Sequence, residues 1–155
     1  RCRMSISARL AELGIELPAV AAPVAAYVPA VVHAGVVYTS GQLPFTDGAL
    51  PATGKVGAAV DAADAQAYAR TCALNALAAA ADAAGGVDRI AGVLRVGGFV
   101  ASVPEFSGQP GVINGASEVL GEIFGDAGRH ARAAVGVPVL PLDSPVEVEV
   151  TFLLA

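Results

Sequence analysis

Apolar and polar side chains alternate along the C-terminal segment of the chain. Every second position there is apolar: Val146, Val148, Val150, Phe152 and Leu154. This period of two predicts a β-strand with one buried face, and it places Glu147 and Glu149 on the opposite face. The alternation alone is typical of a half-solvated strand, so the two carboxylates need a second observation before they indicate a site.

Three segments have helical character instead. Residues 61–84 are rich in alanine, the best helix former, and end at Gly85-Gly86. Residues 110–124 repeat their apolar positions at helical spacing. Near the N-terminus, Ser5 is a suitable cap for a short helix over residues 6–13. We therefore predict one long, one medium and one short helix.

The remaining patterned segments predict strands. Residues 27–33 and 36–43 are separated by Ala34-Gly35, a sequence suited to a hairpin, and a third strand is expected within residues 87–102. The stretch "RHARAAVGVPVLP" and the alternating C-terminal segment predict two more strands, joined as a hairpin about Leu142-Asp143. This order predicts an α+β fold in which helices pack on one face of a mostly antiparallel sheet.

The chain length predicts one domain over residues 25–155, preceded by an N-terminal extension with a short helix over residues 1–24. Hydrophobic residues make up 55% of the sequence. The strands carry more of them than one buried sheet face needs, which indicates that a partner subunit covers the other face.

Composition then excludes several classes of function. Nine basic against fourteen acidic residues give a net charge of −5, which argues against a nucleic-acid partner. The sequence lacks an apolar run of the ~18 residues that a membrane span requires, so we expect a soluble protein without a membrane partner. Its two cysteines, Cys2 and Cys72, have no metal-binding or disulfide spacing, which fits the cytoplasm. Arg1-Cys2-Arg3 precede Met4 and are assigned no role.

Candidate chemistry comes from an arginine and a glutamate. In the predicted hairpin Arg132 lies opposite Leu153, which places Glu147 roughly 20 Å away at the rise of an antiparallel strand. A site that uses both side chains then needs a second subunit or a different strand pairing. Ser40-Gly41-Gln42 stand at a strand end, where backbone amides and a hydroxyl can face a ligand, although on these residues alone a strand-ending turn is the better explanation. The two histidines, His33 and His130, have no acidic cluster beside them, so we expect no metal.

Three segments in this order resemble the reactive intermediate (enamine/imine) deaminases, the Rid or YjgF-like family. They are "YVPAVVHAGVVYTSGQLP", "VINGASEVLGEIFG", and "ARAAVGVPVLP" followed by "VEVEV". The resemblance implies a chorismate-mutase-like α+β fold and a homotrimer with ligand clefts between subunits. The chain differs from many members at His130 and Ala134, where they carry proline and cysteine.

The resemblance also implies the roles of six residues. Arg132 would bind a substrate carboxylate and Glu147 would act on a water molecule as the catalytic residue. The other substrate-binding positions of the family fall on Tyr27, Ser40, Gly41 and Asn114. The implied reaction hydrolyses small enamines or imines such as 2-aminoacrylate to 2-oxo acids and ammonia, without a cofactor. Two alternatives stay open: a non-catalytic trimer that binds a small carboxylate as sensor or scaffold, and an endoribonuclease, which the acidic balance disfavours.

Overall fold

The computed structural model describes residues 3–20, 22–23 and 26–155. The predicted domain boundary between residues 24 and 25 lies outside the described residues, and so does Cys2. The elements follow one another as α1 (Ile6–Glu12), β1 (Ala30–His33), β2 (Val36–Thr39), α2 (Ala62–Ala84), β3 (Ile90–Ala101), α3 (Gln109–Phe124), β4 (Ala131–Val137) and β5 (Val146–Leu154). The predicted α+β class is confirmed.

The helices begin and end where the sequence predicts. The Asp61 carboxylate caps α2 by accepting from the Asp64 N–H at 2.8 Å, and the helix ends at Gly85 with φ of 89°. A side chain is disfavoured at such a positive φ, which is why glycine stands there. Ser5 caps α1 through the Ala8 N–H at 3.2 Å. Local capping chemistry therefore sets these boundaries.

The five strands form one sheet in the order β1-β2-β5-β3-β4. All neighbours are antiparallel except β3 and β4, which are parallel because α3 connects them as a crossover. The predicted β1–β2 hairpin forms, with Ala34 and Gly35 both at positive φ. The backbone at this turn suits an antiparallel two-residue connection.

The predicted hairpin between β4 and β5 is wrong. β5 lies between β2 and β3, and β4 is an edge strand that contacts only β3 within the sheet. Arg132 pairs with Val96 rather than with Leu153, which pairs with Val36 and Gly92. The connection from residue 138 to residue 145 is long enough to pass the end of β3, about two strand spacings. The turn residues Leu142-Asp143 suit a hairpin, but they lie in this longer connection and do not join two paired strands.

The core lies on one face of the sheet, beneath α2 and α3. The four apolar positions of β5 that precede Leu154 are buried against these helices: Val146, Val148, Val150 and Phe152. α2 packs closely because most of its buried residues are alanines, and a Cβ on Gly115 of α3 would overlap the carbonyl oxygen of Gln66 in α2. Small residues thus set the distance between the two helices.

The opposite face of the sheet carries large apolar side chains in the open. The registers place Val31, Tyr38, Val135 and Leu153 on the face that also holds Glu147, and each of the four is 42–52% exposed. We refer to this side as the open face. In the part of the chain that the structure describes, no helix is long and apolar enough to cross a membrane.

Candidate functional site

Arg132 is held on the helix-covered side of the edge strand β4. Its Nη1 donates to Asn114 Oδ1 at 2.8 Å and to Ser117 Oγ at 3.2 Å, while Nη2 lies 3.4 Å from the Pro110 carbonyl oxygen. Asn114 and Ser117 are three residues apart on α3, so one helix face presents both acceptors. We call Arg132, Asn114 and Ser117 the arginine cluster.

The hydrogen bonds of the arginine cluster leave one edge of the guanidinium for a ligand. Both hydrogen bonds of Nη1 go to α3, and Nε–H donates to none of the described residues. A carboxylate binds a guanidinium through two parallel N–H donors. The Nε and Nη2 edge of Arg132 offers such a pair, partly exposed and already fixed in direction.

Glu147 lies in a different place, in a pocket of about 380 Å³ that it shares with Tyr27 and Gly41. The remaining wall is mostly apolar: Ala22, Pro23, Gln42, Leu43, Phe45, Pro141 and Leu142. A Cβ on Gly41 would come within 2.7 Å of Glu147 Cδ and 2.9 Å of Oε2. Glycine at position 41 therefore gives the carboxylate its space. We call this the glutamate pocket.

A β-bulge brings Gly41 over Glu147. Tyr38 pairs with Thr151, whereas Gln42 pairs with Val148, so β2 and its continuation hold one residue more than β5 over this interval. Thr39 Oγ1 compensates by accepting from the Val150 N–H at 3.0 Å. Bulges redirect side chains and recur beside functional sites.

Ser40 points away from the glutamate pocket. Its hydroxyl donates to the Val28 carbonyl oxygen at 2.6 Å, and its N–H donates to the Pro29 carbonyl oxygen at 2.8 Å. These bonds tie the segment after Tyr27 to the end of β2. The structure therefore gives Ser40 contacts that position Tyr27, and it is not a lining residue of the pocket.

The surroundings of Glu147 favour its protonated form. Burial raises the pKa of Glu147, and the negative charge of Glu149 on the same face raises it further. Burial, followed by the charge of Glu147, also raises the pKa of the Cys72 thiol well above its ordinary value. Glu147 is thus the carboxyl group that lines the pocket, and its environment makes it a weaker acid than an exposed glutamate.

One chain does not bring Arg132 and Glu147 together. β3 separates their strands, and Arg132 pairs with Val96 whereas Glu147 pairs with Phe99, three residues further along β3. Strand spacing and rise put the two Cα atoms roughly 14 Å apart. Their side chains also point to opposite sides, since Glu147 is on the open face and Arg132 reaches α3.

No group of three metal-ligating side chains occurs within residues 3–20, 22–23 and 26–155. His130, one of the two histidines, bonds through Nε2 to Ser117 Oγ at 2.8 Å and through Nδ1 to the Gly128 carbonyl oxygen at 2.6 Å. Its ring nitrogens are therefore engaged by protein atoms. Through Ser117 this side chain adjoins the arginine cluster.

Residues 7–154 match the model of a family described as "YjgF/chorismate mutase-like, putative endoribonuclease". The chain belongs to this YjgF-like family. The predicted family and the predicted chorismate-mutase-like fold are thereby confirmed.

Similar proteins and solved structures cover most of the chain. Protein TCP17 of Trypanosoma cruzi is 43% identical over 145 residues, which span 93% of this chain and 91% of that protein. The crystal structure of Atu1372 from Agrobacterium tumefaciens, a protein of unknown function, is 45% identical with a TM-score of 0.88, over 97% of this chain and 92% of that one. E. coli TdcF, crystallised with bound serine, is 26% identical with a TM-score of 0.63, over 87% and 92%.

The YjgF-like family resemblance in the sequence did not point to Ser117 or to a role for His130. Ser117 follows Asn114 by three residues in a predicted helix, and His130 precedes Arg132 by two. The spacing of Asn114 and Ser117 was a usable signal, because two polar side chains on one otherwise apolar helix face require buried partners. His130 gave no such signal, since its partner is contributed by another element.

Proposed function

We propose that this protein hydrolyses small enamines and imines that carry a carboxylate, releasing a 2-oxo acid and ammonia. The observation that carries the proposal is that each chain supplies two complementary half-sites, the arginine cluster and the glutamate pocket, at different places. The arginine cluster offers an oriented guanidinium edge, and the glutamate pocket offers a carboxyl group whose pKa is raised. One half-site suits a carboxylate, and the other suits proton transfer.

The role proposed for Arg132 is to anchor the substrate carboxylate. A planar guanidinium whose Nη1 is fixed by Asn114 and Ser117 loses little freedom when it binds a carboxylate. The serine bound to E. coli TdcF is itself a small molecule with a carboxylate and an amino group, which supports this ligand class for a relative at 26% identity.

The role proposed for Glu147 is to move protons at the reacting carbon. The enamine becomes an imine as one proton moves from its nitrogen to its carbon. Water then adds to the C=N carbon, and Glu147 takes a proton from that water and passes it to nitrogen. Glu147 next moves the proton of the new hydroxyl to nitrogen in the same way, the C–N bond breaks, and ammonia leaves as the carbonyl forms. A raised pKa suits this exchange because Glu147 is then readily protonated and deprotonated.

The proposed assembly is a homotrimer whose clefts join the arginine cluster of one subunit to the glutamate pocket of its neighbour. Two observations favour it: one chain holds Arg132 and Glu147 on opposite sides of the sheet, and the open face exposes Val31, Tyr38 and Leu153. A ring of subunits can bury that face and close the cleft in one step.

A non-catalytic binding protein is the second candidate. The arginine cluster by itself suits a sensor that captures a small carboxylate, and Glu147 then contributes only to the shape of the pocket. An endoribonuclease, the activity in the family's description, is less well supported because the chain has a net charge of −5 and a single lysine.

The test is ammonia release from enzymatically generated 2-aminoacrylate, with wild type, Glu147→Gln and Arg132→Ala compared at equal concentration. A deaminase accelerates release over the uncatalysed reaction, and both variants lose the acceleration. Binding of pyruvate without acceleration supports the sensor instead. Cleavage of RNA that survives in Arg132→Ala, without acceleration of ammonia release, contradicts both.

A further inference from the structure

The hydrogen bonds around Arg132 extend one step beyond the arginine cluster, to His130. Ser117 Oγ lies 3.2 Å from Arg132 Nη1 on one side and 2.8 Å from His130 Nε2 on the other. The imidazole is fixed in turn by the Gly128 carbonyl oxygen, 2.6 Å from Nδ1. The result is a chain of four partners that runs from a backbone carbonyl to the guanidinium.

The direction of each proton follows from the chemistry of the partners. A carbonyl oxygen only accepts, so His130 Nδ1 must carry the hydrogen that it shares with Gly128. In the neutral imidazole Nε2 is then an acceptor, and the Ser117 hydroxyl donates to it. A lone pair of Ser117 Oγ is left facing Arg132 Nη1, which donates.

The geometry points to His130 and Ser117 as positioning residues that set the orientation of Arg132 for its carboxylate ligand. His130 fixes the Ser117 hydroxyl, so Oγ presents an acceptor to Nη1 and the Nε–Nη2 edge stays turned toward the cleft. This inference rests on the proposed function, and it adds two residues that the family resemblance did not identify.

Loss of Ser117 or of His130 removes a specific hydrogen bond that helps to hold the Arg132 guanidinium. Without Ser117 one hydrogen of Nη1 has no acceptor, and the guanidinium is held on that side by Asn114 alone. Without His130 the Ser117 hydroxyl loses the acceptor that fixes the direction of its hydrogen, so Oγ no longer presents a fixed lone pair to Nη1. Both changes loosen the guanidinium while leaving Arg132 itself in place.

The other histidine provides a matched control. His33 is exposed at the end of β1, away from β4 in the order of the sheet. Replacing it removes an imidazole of the same chemistry without touching the chain of partners around Arg132. With only two histidines in the sequence, the His33→Gln variant also assigns the histidine signals.

The first experiment determines the tautomer of His130. Long-range proton–nitrogen correlation spectra at pH 8 distinguish a protonated ring nitrogen from an unprotonated one. We expect Nδ1 protonated and Nε2 unprotonated in wild type, with the Nε2 signal shifting when pyruvate is added. The reverse tautomer contradicts the proposal whether or not a ligand binds.

The second experiment measures pyruvate affinity by calorimetry. Ser117→Ala and His130→Ala should each weaken binding roughly three- to tenfold, the change expected for one hydrogen bond of ordinary strength. His130→Gln, whose amide oxygen can accept from Ser117, should recover part of the loss, and His33→Gln should bind like wild type. Thermal unfolding checks that each variant is folded. If a variant does not fold, the tautomer measurement on wild type still tests the proposal.

The outcomes separate this inference from the proposed function. If wild type binds pyruvate, Arg132→Ala does not, and both Ser117→Ala and His130→Ala bind like wild type, the positioning role is wrong and the carboxylate site stands. If Arg132→Ala binds pyruvate as wild type does, the proposed function fails, and the positioning role fails with it.

Discussion

Replacing Gly41 by alanine tests the glutamate pocket without altering any ionisable group. The added Cβ would lie 2.7 Å from Glu147 Cδ, 2.9 Å from Oε2 and 3.1 Å from Cγ. Ordinary contact begins near 3.4 Å, so the carboxylate must retreat by roughly 0.5–1 Å. The atoms in the way belong to the end of a flexible side chain, so the fold should accommodate the change.

The expected effect is on turnover rather than on binding. A displacement of about 1 Å of a catalytic group costs up to ~100-fold in rate, and we expect kcat for ammonia release to fall about 10- to 100-fold in Gly41→Ala. Pyruvate affinity should stay within about twofold, because Arg132 lies in the other half-site. A fall in kcat without a fall in pyruvate affinity would show that the substitution affects Glu147 and not the carboxylate site.

The matched control is Gly121→Ala in α3, where a Cβ would meet nothing within 4 Å. It should keep full activity and gain up to ~1 kcal/mol of stability, since alanine is the better helix former. The assays are steady-state ammonia release, calorimetry with pyruvate, and thermal unfolding. Wild-type turnover in a folded Gly41→Ala protein would refute the view that the position of Glu147 matters to catalysis.

Three further predictions concern single side chains. Arg132→Ala should weaken pyruvate binding by on the order of 2–5 kcal/mol in calorimetry, while a loss below about 1 kcal/mol indicates a solvated surface charge. Because the folded state raises the pKa of Glu147, that group favours folding below its unfolded pKa and loses this contribution as pH rises through its folded pKa. Glu147→Gln should therefore raise the melting temperature relative to wild type at pH 8 but not at pH 3.5, and an equal difference at both contradicts the pKa shift. Cys72 is fully buried, so site-resolved mass spectrometry should find it unmodified by iodoacetamide in the native protein and modified after unfolding.

Features with a local cause could be predicted from the sequence. The cap at Asp61 and the glycine at position 85 place the ends of α2, and the alternation along β5 separates its buried face from Glu147. The pairing of β4 could not be predicted in this way, because its partner is chosen by the crossover through α3 and not by neighbouring residues. The edge position of Arg132 follows from that pairing.

In the candidate site, too, some features could be predicted from the sequence and others depend on tertiary packing. The family resemblance implied one site of six residues. The structure places three of them, Tyr27, Gly41 and Glu147, around one pocket, and it holds Asn114 beside Arg132 elsewhere; the roles of all six stay predictions. The contact of Ser117 with both Arg132 and His130 depends on how α3 crosses the start of β4, which no local pattern specifies.

The central claim is that each active site takes Arg132 from one subunit and Glu147 from its neighbour. Mixing the two inactive variants tests it directly. Arg132→Ala and Glu147→Gln are unfolded together, refolded as a mixture, and assayed for ammonia release. In a randomly mixed trimer about one quarter of the clefts pair an intact arginine subunit with an intact glutamate subunit.

We predict that the mixture recovers about one quarter of the wild-type activity, while each variant refolded alone remains inactive. The double variant, mixed with wild type in the same way, controls for losses on refolding. A mixture as inactive as its two components, formed from folded and mixed oligomers, would contradict the shared site.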